Sequence, residues 1–302
     1  MTPRPARSLL YALLALVGGY VAITGYFYLN QRHFIMPQTV STMAAPPSTQ
    51  PARFQTLSIP TADGDATLHG VLFPAVVSSP TLVLAFGGNA HDVVGFATFL
   101  KNTVFPQGDV AVAALSYRGY PNSLGMPSTG LPSQQALYAD SLTVFDTLNA
   151  QLKPAHIHAI GYSLGTAVAT YLGTMRPLAS LTLVAPPASV EKIAEGEYPW
   201  LPVKWLIKYP FDTEHTLPQV PPSIPVTMVY TPTDGLIPPG HITNLLHNAR
   251  PSAAIVKVEG SRHGNILDNP AMPAVLRRAV LGPSATTPQA LPITGAHPLQ
   301  PR

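Results

Sequence analysis

Gly161-Tyr162-Ser163-Leu164-Gly165 is the stretch on which the reading of this chain turns. The apolar run Ile157 to Ile160 before it reads as a buried strand, and Thr166 to Met175 after it reads as a helix stopped at Pro177. Ordinary Gly and Ser usage produces Gly-x-Ser-x-Gly by accident in roughly one chain in ten of this length. The strand and helix around the pentapeptide therefore carry the reading. A serine hydroxyl is a weak nucleophile in water, and a tight strand-to-helix turn exposes it to a neighbouring base and to substrate. Ser163 is the candidate nucleophile, with the flanking glycines expected to relieve the corner.

Such a serine needs a base, and the base needs an acid to orient it. Both are expected downstream, acid first. Asp234 stands in the loop Thr231 to Pro238 that leaves the apolar strand Val226 to Tyr230, and His263 stands in Gly260 to Gly264 behind the strand Ala254 to Val258. Asp212 also precedes His263, but in an insertion where a turn or a helix cap is its simpler role. The backbone donors for a tetrahedral oxyanion are expected after the nucleophile and after the first central strand. Thr81 to Phe86 runs into Gly87-Gly88-Asn89-Ala90, so the N–H groups of Asn89 and Leu164 are the candidate oxyanion hole.

These features, from Phe54 to Leu281, resemble the alpha/beta-hydrolases, in particular the membrane-anchored serine hydrolases with a short cap. The likeness takes in the hairpin at Asp63-Gly64, Phe86 to Ala90, Tyr117-Arg118-Gly119-Tyr120 through Pro127-Ser128, Tyr209 to Asp212, and the Asp234 and His263 loops. Gly87 stands where that family usually has His, and Thr129 where an acidic residue commonly follows Pro-Ser. The resemblance implies a Ser163, Asp234, His263 triad. It also implies cleavage of an ester or thioester through an acyl-enzyme. A peptidase of the same fold and an inactive binding module are the alternatives. Glu195 and Glu197 are the local acidic residues that could serve a peptidase in recognising an amine.

Strands near Thr81, Val110, Ile157, Leu181, Val226 and Ala254 alternate with helical segments, which predicts an α/β fold: a mostly parallel central sheet with helices on both faces. Gln55 to Ile59 and Ala66 to Phe73 should form an antiparallel hairpin at its edge. The domain is expected over 54–281, with a cap within 186–225. The aromatics Tyr198, Trp200, Trp205, Tyr209 and Phe211 would there offer an apolar wall to an acyl group. Asp92 should cap the helix after the Gly-Gly loop, and Asp140 and Asp146 read as solvated or structural. His156 and His158 share a strand face without a third metal ligand nearby.

The chain has 46 % hydrophobic and 10 % charged residues, more apolar than most soluble domains. Part of the excess lies in Leu9 to Tyr28, long enough to cross a bilayer as one helix after a basic segment over 1–8. Arg4 and Arg7 precede that span and Arg32 follows it, which favours a domain on the non-cytoplasmic side. A cleaved signal peptide fits less well, because no small-x-small site directly follows the apolar stretch. A linker over 29–53 and a Pro-rich tail over 282–302 complete the plan. Without cysteine there is no disulfide or thiolate metal site. A net charge of +3 with no basic stripe gives no sign of a nucleic-acid partner. The expected partners are a small-molecule or lipid acyl substrate and a membrane, with no cofactor.

Overall fold

In the computed structural model the alternating pattern becomes one eight-stranded sheet. Residues 5–39, 53–78, 80–248 and 253–282 are described. The strands are β1 (Gln55–Pro60), β2 (Thr67–Phe73), β3 (Thr81–Phe86), β4 (Val110–Leu115), β5 (His156–Tyr162), β6 (Ser180–Val184), β7 (Val226–Tyr230) and β8 (Ala254–Lys257). Their spatial order is β1-β2-β4-β3-β5-β6-β7-β8. The hairpin β1-β2 and the pair β2-β4 are antiparallel, and every later pair is parallel.

Parallel neighbours need crossovers, and helices supply them on both faces. The α-helices are α1 (Pro5–Ile35), α2 (Val93–Phe99), α3 (Gln134–Leu152), α4 (Leu164–Met175), α5 (Val190–Glu197), α6 (Val203–Leu206), α7 (Thr213–Thr216), α8 (Pro239–Asn248) and α9 (Met272–Leu281); α1 precedes the first strand and α9 follows the last. Side chains alternate across each strand, so Leu82 and Leu84 join Leu148, Leu172 and Leu245 on one side. Val83 and Ala85 join Phe96, Leu100 and Leu276 on the other. A central sheet buried on both faces explains why β3 from Leu82 and β4 throughout read as unbroken apolar runs.

A buried ion pair locks the hairpin edge. Arg118 donates from Nε and Nη2 to both carboxylate oxygens of Asp140 on α3, each at 2.7 Å, and Nη2 also reaches Asp63 at 2.7 Å. One guanidinium thus joins the turn between β1 and β2, the loop after β4, and α3. Asp140 is structural, as one of the two readings had it, whereas Asp146 pairs with Arg176 at an exposed site.

At the N-terminus the helix outruns its expected limit of Tyr28. It continues to Ile35, and Met36 behind it is 1 % exposed and belongs to the core. Residues 29–36 are therefore part of the folded body and not of a linker. Gln31 is buried; its Nε2 donates to the Leu206 carbonyl at 2.7 Å and its Oε1 accepts from the Lys208 N–H at 2.8 Å. The tether and tail expectations for 40–52 and 283–302, and Arg4 of the basic segment, lie outside the described residues.

Candidate active site

The turn between β5 and α4 is strained at one place. Ser163 has φ 50° and ψ −120°, a conformation that a side-chain-bearing residue adopts only when its surroundings enforce it. The serine itself takes the strain that the sequence reading assigned to its glycines. Those glycines serve close approach: a Cβ at Gly165 would lie 2.2 Å from the Phe86 carbonyl oxygen, and one at Gly161 2.5 Å from that of Gly165. The elbow can therefore sit directly against the end of β3, where Phe86 pairs in register with Gly161.

Ser163, Asp234 and His263 come together at the C-terminal edge of the sheet. Ser163 Oγ lies 2.9 Å from His263 Nε2, and His263 Nδ1 lies 2.8 Å from Asp234 Oδ2. The other carboxylate oxygen, Oδ1, accepts from the backbone N–H groups of Leu236 at 2.9 Å and Ile237 at 2.7 Å, so Asp234 is buried with both oxygens engaged. A buried carboxylate held in this way fixes the ring nitrogen that carries hydrogen and leaves the other facing the serine.

Other residues, not picked out from the sequence, hold this geometry. Tyr162 Oη donates to the His263 carbonyl at 2.7 Å, and its ring stacks on the imidazole at 5.6 Å between centroids. Burial pushes the Tyr162 phenol well above its ordinary range, which keeps it a donor. The hydroxyls of Thr231 and Thr233 both reach the Ser261 carbonyl, tying the Asp234 loop to the His263 loop. A tyrosine inside the pentapeptide and threonines just after an apolar strand were the available signals.

The loop after β3 closes the remaining side. A Cβ at Gly88 would lie 3.1 Å from Ser163 Cβ, so Gly88 packs directly on the elbow, with Asn89 next and exposed to solvent. Tyr117 Oη donates to the Gly87 carbonyl at 2.8 Å and holds the loop to the strand beside it. Leu164 is the first residue of α4, a position whose N–H has no acceptor within the helix. Asp92 caps α2 as expected, accepting from the N–H groups of Val94 and Gly95. His91, packed at a tilt between Phe96 and Tyr162, is pushed by burial to a pKa of about 4 and stays neutral at physiological pH.

The expectation for the cap changes. The cap aromatics Tyr198 and Trp200 pack against Phe27 and Tyr20 of α1, not as a free wall above the serine, while Phe211 is fully buried against Tyr138. The two strand histidines part company: His156 is exposed, whereas His158 is buried with Nδ1 2.7 Å from Ser180 Oγ. Asp212 caps α7, accepting from the His215 N–H at 3.0 Å, and lies outside the serine–histidine cluster.

Comparison with known proteins agrees with this architecture. The chain superposes on an alpha-beta hydrolase from Vibrio vulnificus with a TM-score of 0.61 at 21 % identity, covering 76 % of this chain and 81 % of that one. The chain has the alpha/beta-hydrolase fold. It is 31 % identical over 281 residues to the uncharacterized protein Rv2307c of Mycobacterium tuberculosis, covering 90 % of this chain and 95 % of the relative, and it belongs to the same family as that protein. It is also 26 % identical to the mouse lysophosphatidylserine lipase ABHD12 over 232 residues. That match takes in 67 % of this chain but only 56 % of the mouse protein. No protein-family profile matches the chain.

Proposed function

We propose that this alpha/beta-hydrolase is a serine hydrolase that cleaves the ester or thioester of an acyl or lipid-like substrate, tethered to a membrane by α1. The observation that carries the reading is the imidazole of His263 placed between Ser163 Oγ and Asp234 Oδ2 at 2.9 and 2.8 Å. The lipase name borne by the mouse relative supports a lipid-like acyl substrate.

Ser163 Oγ attacks the carbonyl carbon as its proton passes to His263 Nε2, and Asp234 stabilises the imidazolium through Nδ1–H. The N–H groups of Asn89 and Leu164 hold the oxyanion. Collapse breaks the bond to the leaving oxygen or sulfur, which takes the proton from Nε2 and departs. Water then attacks the acyl-Ser163 ester, again giving its proton to His263. The second collapse releases the carboxylic acid and returns the proton to Ser163.

Residues Ser8–Ile35 form a helix with a mean hydropathy of 1.8 over its most apolar window, long enough to cross a bilayer. Arg4 and Arg7 before it favour a catalytic domain on the non-cytoplasmic side. The decisive assay is a series of nitrophenyl esters of increasing acyl length, run beside a phosphatase fusion at the C-terminus. Turnover that depends on chain length, together with phosphatase activity outside the cytoplasm, is expected. Turnover of aminoacyl amides with no ester turnover would turn the reading to a peptidase.

A further inference from the structure

The cap does not hang over α1; it runs down alongside it. Tyr198, just after α5, packs on Phe27 with ring centroids 5.0 Å apart. Trp200 reaches further along the helix. Its ring meets that of Tyr20 at 6.5 Å, and its carbonyl accepts from Tyr20 Oη at 3.1 Å. The chain then returns through α6 until Gln31 clasps the Leu206 carbonyl and the Lys208 N–H. The segment 198–208 is thus a loop whose tip lies beside Tyr20 and whose two ends lie near Phe27 and Gln31.

Depth follows from helix geometry. A hydrocarbon core of about 30 Å takes about 20 helical residues, so a span that starts after Arg7 reaches the outer boundary near Phe27. Tyr20 lies about 10 Å along the axis from Phe27 at 1.5 Å per residue. Trp200, fixed beside Tyr20, must sit at a similar depth. The side chains suit that place: Trp205 is 86 % exposed and Trp200 49 %, an arrangement that costs free energy in water and little in lipid. Lys208, at the loop's end, stands with Nζ 3.7 Å over the Tyr28 ring, and Lys204, within the loop, is exposed; a long basic side chain can bury its stem and extend its charge to the headgroup phosphates. Glu195 and Glu197 precede Tyr198, on the domain side of the Phe27 contact.

We infer that the cap loop 198–206 is a membrane wedge, inserted beside α1 into the outer half of the bilayer. The partner is the lipid bilayer itself. The inference rests on the proposal that α1 spans, and it deepens the proposed function. The cap branches from the end of β6, where the Val184 carbonyl accepts from the Ser163 N–H at 2.9 Å. A wedge there holds the serine's edge of the sheet against the membrane, so a substrate drawn from the lipid phase would reach it without crossing water.

The chain's two tryptophans are Trp200 and Trp205, so its intrinsic tryptophan emission reports on this loop alone. The test uses the full chain reconstituted in phosphatidylcholine vesicles. Their acyl chains carry bromine in one set, and the aqueous phase carries iodide in another. Carbonate extraction of the same vesicles reports on the span. The wedge requires that brominated chains remove most of the emission and that iodide removes little, both in the parent and in Trp205→Phe, which leaves Trp200 as reporter. Iodide quenching without bromine quenching, in a protein that resists carbonate, overturns the wedge and leaves the span standing. Release by carbonate overturns the span and the wedge together.

Discussion

Thr231 Oγ1 donates to the carbonyl of Ser261 at 2.9 Å, joining the loop that carries Asp234 to the loop that carries His263. Thr233 reaches the same carbonyl, and the two hydroxyls lie 3.1 Å apart, so either can hold the tie when the other is lost. Replacing both by valine frees the base loop from the acid loop. Turnover of a nitrophenyl ester should fall about ten- to a hundredfold in kcat with little change in KM, since a misplaced imidazole costs the chemical step and not substrate binding. Thr231→Ser, which keeps the hydroxyl, should restore kcat when placed in the Thr233→Val background. A double variant with parental kcat would remove these threonines from the positioning of His263.

The choice of acid separates two aspartates that both precede His263 in the chain. Asp234→Asn leaves the shape of the loop but presents an amide to His263 Nδ1, which favours the wrong tautomer and should lower kcat by about 10⁴. Asp212→Asn touches only the α7 cap and its contact with His215 at 2.6 Å, and should change kcat by less than about tenfold. The comparison needs circular dichroism on both variants, with kinetics at one pH. Reversed magnitudes in two folded proteins would move the acid to Asp212.

Close packing at the elbow makes a sharp prediction about stability. In Gly165→Ala the added methyl would meet the Phe86 and Gly87 carbonyl oxygens at 2.2 and 2.5 Å. Backbone on both sides has no rotamer with which to yield. A loss of about 3 kcal/mol or failure to fold is expected by chemical denaturation. Gly264→Ala, where a Cβ meets nothing within 4 Å, is the control and should be close to neutral.

His158 gives the protein a pH dependence whose sign is fixed by burial. Burial first, and the neighbouring His156, lower its pKa from 6.5 to about 4. Between these values the unfolded chain binds a proton that the folded protein refuses, so stability falls as pH drops from 6.5 towards 4 and levels off below. The full contribution is about 3 kcal/mol. Denaturation midpoints across this window should be flatter in His158→Asn, which keeps a polar side chain but cannot take up the proton. Parallel curves for the two proteins would show that His158 contributes nothing.

Much of this architecture is legible in local sequence, and the limits are physical. Thr81 to Phe86 reads correctly as a strand because both its faces are buried, and Asp63-Gly64 marks the hairpin because a tight turn needs such residues. The meeting of Ser163, Asp234 and His263 could be expected because each residue follows a strand that ends on the same edge of the sheet. The docking of the cap could not. Tyr20 and Trp200 are 180 positions apart, and a uniformly apolar helix has no periodicity to show which face will be covered. Gln31 fell within the linker expected over 29–53, because polar residues after an apolar span read as an exit into water. In the fold it is clasped by the Leu206 carbonyl and the Lys208 N–H. The strain at Ser163 was assigned to glycines because composition shows which residues tolerate a positive φ, not which residue the packing forces into one.

The central claim is that Ser163 is the nucleophile, and one measurement addresses it directly. The full chain in detergent is treated with a fluorophosphonate, digested, and the adduct located by mass spectrometry, with Ser163→Ala treated alongside. The mechanism requires a single adduct on the peptide containing Ser163, none on the alanine variant, and loss of nitrophenyl ester turnover by about a thousandfold or more in that variant. A folded Ser163→Ala protein that still takes up the probe, or still turns over the ester at the parental rate, would contradict it.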